Sequence, residues 1–90
     1  MSQKNESVTF ELNFPISTPD GESIRSVTMR RPKVGDVLKY PVSGSGDMQG
    51  EVNLVSALCG LCPEDVREMD LSDYGRLQDQ LLAFRNSATA

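Results

Sequence analysis

Apolar and polar residues alternate from Val8 to Phe14, with Val8, Phe10, Leu12 and Phe14 separated by polar positions. A period of two places these four on one buried face of a strand and the intervening residues on a wet face. Pro15 cannot donate to a ladder and is expected to close the strand. Pro19-Asp20-Gly21 then supplies turn chemistry, since proline presets φ and glycine accepts a positive value. A second strand is expected over roughly 24–30. Val27 and Met29 share a face there, but Ile24 has the other parity, which calls for a bulge near Ser26 or an Ile24 off the face. The pair reads as an antiparallel hairpin over residues 7–31.

The period changes after Pro32. Residues 33–41, from Val34 to Tyr40 at their centre, read as a short helix or single turn stopped by Pro41, and residues 42–47 as a Gly/Ser loop ending in a cap residue, Asp47. From Met48 to about Leu61 a helix is expected. Leu54, Leu58 and Leu61 form one stripe, and Val52, Val55, Cys59 and Cys62 an adjacent one. So wide an apolar arc suits a central buried helix. Gly60 lies near its end; Pro63 then suits a first turn, and Glu64 and Asp65 the positive end of a helix dipole, in a short helix ending near Met69. Asp70 or Ser72 caps a last helix on which Tyr74, Leu77, Leu81 and Phe84 recur at i, i+3, i+7 and i+10. The helical half thus spans 48–86, and 87–90 is expected to fray. The whole is one domain, 1–90, of the α+β class: an N-terminal antiparallel β-hairpin packed against a small bundle of three to four helices.

Ninety residues conceal a smaller share of their surface than a larger domain does, so a partner or second copy is expected to complete the burial. Charge is uneven. Residues 1–50 carry six acids and six bases, whereas 51–90 carry seven acids against three arginines, which puts the whole net charge of −4 in the second half. That sign repels a phosphate backbone, so no nucleic-acid partner is expected. A helix-turn-helix reading of 48–69 fails for the same reason, because its second helix would present Glu64, Asp65 and Glu68. No apolar run reaches membrane-span length and the N-terminus lacks a signal-peptide core, so a cytoplasmic protein without a membrane partner is expected.

Reactive chemistry is sparse. There is no histidine, and the two cysteines of Cys59-Gly60-Leu61-Cys62 are two ligands short of a structural zinc site. Their spacing matches a redox dithiol, but Cys59 falls at the end of an apolar helix, where the dipole raises a thiol pKa. Asp70 and Asp73 read as helix-capping groups rather than a catalytic pair. No catalytic, cofactor-binding or metal site is expected, and no enzyme. The candidate partner-binding residues are the apolar helical positions Leu54, Tyr74, Leu77, Leu81 and Phe84, with Arg30 and Arg31 of the one basic cluster, which reads first as a solvated strand end and otherwise as a contact for an acidic partner. On this reading a charge at Leu58 unfolds the domain, while one at an exposed Leu77 or Leu81 abolishes only binding.

Two stretches carry a resemblance. Val27-Thr28-Met29-Arg30-Arg31-Pro32-Lys33-Val34-Gly35-Asp36-Val37 resembles the strand, basic-proline and Val-Gly-Asp pattern of the tail assembly chaperones of Mu-like and P2-like contractile-tailed phages and prophages. Leu58-Cys59-Gly60-Leu61-Cys62-Pro63-Glu64-Asp65-Val66, followed by Leu71-Ser72-Asp73-Tyr74, is similar to their helical half. The likeness covers roughly residues 7–82 and departs at Cys62, where the pattern more often has a capping serine. It implies a non-enzymatic role: binding the tape measure protein, keeping it soluble and aiding tail-tube assembly, with absence from the mature particle. The tail tube protein and a second copy of the chain are further partners it brings into view. Made in two lengths by a ribosomal frameshift, such proteins often have a longer form. A structural tail component or connector retained in the particle is the alternative, and a thiol redox protein using Cys59 and Cys62 ranks below it.

Overall fold

In a computed structural model, the structure describes residues 7–87. Of the tail 87–90 expected to fray, 88–90 lie outside them, as do the first six residues, while Ser87 is described and is held by Arg31. Two strands precede four helices: β1 (Ser7–Ser17), β2 (Ser23–Arg30), α1 (Val34–Lys39), α2 (Met48–Cys59), α3 (Pro63–Arg67) and α4 (Leu71–Asn86). This is the expected α+β arrangement, an N-terminal antiparallel hairpin followed by helices.

The hairpin departs from the simple alternation at its middle. Val8 pairs with Met29 and Phe10 with Val27, but the next aligned core pair is Ile16 with Ile24. Between Glu11 and Ile16 the residues Leu12 to Pro15 on β1 face only Arg25 on β2. The irregularity therefore falls beside Ser26, as the parity of Ile24 required, with the extra residues on β1. Two expectations are corrected by it. β1 does not close at Pro15 but runs to Ser17, because inside a bulge a proline has no ladder bond to give. Phe14 leaves the common face and is exposed, and Ile16 takes the core position in its place.

Local chemistry sets the helix boundaries. The Asp47 carboxylate accepts the Gly50 amide at 3.0 Å and the Ser43 amide at 2.9 Å, capping α2 and folding the preceding loop onto its first turn. Gly50 is buried beneath that loop; a Cβ there would fall 2.8 Å from the Pro41 carbonyl oxygen. At the other end Gly60 takes φ 67° and the Leu61 amide reaches back to the Ser56 carbonyl at 2.9 Å. That six-to-one bond with a left-handed glycine stops α2 at Cys59, two residues before the stripe through Leu61 suggested. Cys62 makes no side-chain capping bond to α3. Asp70 rather than Ser72 caps α4, accepting the Ser72 amide at 3.0 Å.

α2 is the buried centre. Val52, Leu54, Val55 and Leu58 pack with Leu12, Ile16, Val27 and Met29 of the hairpin, Val66 and Met69 of the α3 region, and Tyr74, Leu77 and Phe84 of α4. Tyr74 Oη and Gln78 Nε2 both donate to Glu51 Oε1, each at 2.8 Å, which ties α4 to α2 outside the apolar contact.

Candidate functional site

α4 runs alongside β1, and its first turn holds the bulge. Asp73 is buried, and its carboxylate accepts the Asn13 amide at 3.1 Å and the Phe14 amide at 3.0 Å. These are amides that the bulge has taken out of the ladder, so Asp73 answers backbone donors that β2 cannot. Arg76 donates to the same carboxylate at 3.0 Å and to the Glu11 carbonyl, and its guanidinium lies 5.7 Å from the Phe10 ring centroid. Burial pushes the Asp73 carboxyl up, but the two amides and Arg76 outweigh it and hold the group below its ordinary value. The capping role expected for Asp73 is therefore corrected: Asp70 is the cap, and Asp73 fastens strand to helix.

The candidate binding residues divide by depth. Leu54, Tyr74 and Phe84 are buried in the monomer, and Leu77 is 0% exposed. The expectation of an exposed Leu77 is thus corrected, because the line of α4 through Tyr74, Leu77 and Phe84 is the line that seats against the rest of the core. Leu81, at the edge of that line, is half-buried.

The two arginines are engaged within the fold. Arg30 grips Asp36 with both terminal nitrogens, at 2.8 and 2.7 Å. Those bonds, with the Lys33 amide donating at 2.8 Å, hold the Asp36 carboxyl at about 2. Arg31 reaches the last turn of α4, donating to the Ser87 carbonyl and hydroxyl, each at 2.9 Å, with its guanidinium 5.4 Å from the Phe84 ring centroid.

Two apolar surfaces that sequence reasoning did not single out remain in water. α1 has no buried residue: Val34 and Leu38 are each 77% exposed, and Val37 is exposed beside them. Asp36 turns to Arg30, so the i, i+3, i+4 stripe of Val34, Val37 and Leu38 points away from the body. The spacing was visible; what it faces was not. The second surface is the outer face of α4, where Leu71 is 74% and Leu82 57% exposed. Gly75 lies between them on the same face, one turn after Leu71, with open space where a side chain would stand.

Little points to reactive chemistry. Among the described residues no group of three or more His, Cys, Asp or Glu could hold a metal ion. Both cysteines are free thiols. Burial pushes the Cys59 thiol up to about 11, the reverse of the activated thiolate that a redox dithiol uses. Among the described residues, no helix is long and apolar enough to cross a membrane.

Fold and surface together define a small α+β protein distinguished by exposed apolar helix faces rather than by convergent reactive groups. A family model described as phage tail assembly chaperone proteins, E, or 41 or 14, matches residues 9–85, and the chain belongs to that family. No curated protein and no solved structure matches the chain.

Proposed function

We propose that this chain acts as a non-enzymatic chaperone of phage tail assembly that binds helical apolar segments of the tape measure protein and keeps them soluble. The observation that carries the reading is the family match over residues 9–85, which spans the hairpin and nearly all of the helical half. The surface supports it. A domain with Phe14, Met48, Leu71 and Leu82 in water, and Leu81 half-covered, offers apolar area to an amphipathic helix. The net charge of −4 keeps such a surface from collapsing onto its neighbours without order. The tail tube protein is a second partner on this reading, and the protein acts in the host cytoplasm and is left out of the finished particle.

Co-expression with the tape measure protein of the same genome tests it. The expected result is a tape measure protein that moves from the pellet to the soluble fraction and co-purifies with the chain. Unchanged solubility of the tape measure protein would count against the proposal, and recovery of the chain in purified tails would favour a structural component instead.

A further inference from the structure

We propose that α1 of one copy docks on the outer face of α4 of a second copy, in a reciprocal dimer. Both halves of this contact are present on one chain and neither is used within it. α1 presents Val34, Val37 and Leu38 to solvent, and contributes no residue to the core. α4 presents Leu71 and Leu82, with Gly75 between them lowering the helix surface so that another helix can approach closely.

Charge selects the occupant. Arg30 neutralises Asp36, so the charges left at α1 are Lys33 at one end and Lys39 at the other, both exposed. Acids outnumber bases along the α4 face: Glu68 and Asp70 precede Leu71 and Asp79 stands exposed before Leu82, against Arg85 exposed one turn after Leu82. Lys33 and Lys39 are about 9 Å apart along a helix axis, and Asp70 and Asp79 about 13 Å, a difference that lysine side chains span. A positive apolar ridge thus meets a negative apolar face, and like surfaces of two copies would repel. In the reciprocal pair proposed, each copy supplies one ridge and one face, which closes the assembly at two chains, where a one-way contact would repeat from copy to copy. The interface is small, which makes the dimer reversible and concentration-dependent. Leu71 and Leu82 belong as well to the apolar surface offered to the tail partner proposed above, so the two occupants compete for the α4 face, and a test on the chain alone separates them.

Sedimentation velocity of the full chain from about 10 to about 500 µM tests it, with Leu38→Asp and Leu82→Asp as variants. Both residues are exposed, and unchanged thermal unfolding confirms that each variant is folded. The expected result is a wild-type monomer–dimer equilibrium that weakens at least about tenfold in either variant, since each spoils both contacts. An equimolar mixture of the two variants regains dimer, because one wild-type ridge then meets one wild-type face. A wild type that stays monomeric throughout overturns the proposal, as does a mixture no better than its components. Should the wild type be monomeric while Leu38→Asp loses its hold on the tape measure protein, α1 is occupied by that partner and the second-copy reading is wrong.

Discussion

Replacing Asp73 with alanine tests the fastening of β1 to α4. The substitution deletes the acceptor of two backbone amides, Asn13 and Phe14, at 3.1 and 3.0 Å, and the partner of Arg76. A hydrogen bond to a charged group is worth about 1.5–3 kcal/mol. Asn13 and Phe14 lie at an exposed stretch of strand, so water recovers part of each bond and the low end of that range applies. The two amides together then contribute about 3 kcal/mol. The Arg76 side chain is 39% exposed, and its pairing adds no more than about 1 kcal/mol. The expected loss is therefore about 3–4 kcal/mol, a large fraction of what a small domain possesses. Urea unfolding followed by far-ultraviolet circular dichroism measures it. Acid supplies a second reading. The folded Asp73 pKa lies below the ordinary 3.8, so its contribution is complete above 3.8 and is lost as pH falls through the lower folded value. Asp73→Asn keeps one carbonyl oxygen but turns an amide group toward a backbone donor, so it too is destabilised at neutral pH. Its deficit against wild type narrows below pH 3.8. A loss under about 1 kcal/mol for Asp73→Ala, or a gap to Asp73→Asn that stays constant in acid, would refute the reasoning.

Leu77→Asp is expected to unfold the domain and Leu77→Ala to cost about 2–5 kcal/mol, because the side chain is fully enclosed; a folded Leu77→Asp seen by circular dichroism contradicts this. Gly50→Ala is expected to lose about 1–3 kcal/mol in the same unfolding assay, since the new methyl group meets the Pro41 carbonyl and the capping carboxylate of Asp47. A chromogenic disulfide at pH 8 should modify exposed Cys62 promptly and half-buried Cys59 much more slowly, because burial pushes the Cys59 thiol up to about 11; equal rates at the two thiols would be incompatible with that difference.

The elements with local causes were legible in the sequence. Asp47, Gly60, Pro63 and Asp70 each act within a turn of their own position, and each marks the boundary its residue type suggested. Ile24 announced a register fault by its parity, but not which strand held the extra residues. The continuation of β1 through Pro15 was not legible, because the acceptor that stabilises it lies 60 residues away, on a helix whose rotation only the packed structure fixes. The same reason hid the depth of Leu77. Periodicity put it on one face with Leu81, yet α4 seats along a narrow line that buries the first and only half-covers the second. Arg30 and Arg31 read as a basic patch; Arg30 turns to Asp36, six residues on, and the partner of Arg31 at the end of α4, 56 residues away, became visible only in three dimensions. For the candidate surface, the spacing Val34, Val37, Leu38 was present in the sequence, but a stripe looks the same whether it faces the core or water.

The fastening at Asp73 also orders events in time. As the polypeptide is synthesised, β1 and β2 emerge early and can pair near the turn and near their far ends. The bent middle of β1, however, offers two donors that have no protein acceptor until the ribosome has added some 60 further residues. The nascent hairpin is consequently a provisional structure, completed only when the first turn of α4 swings in beside it.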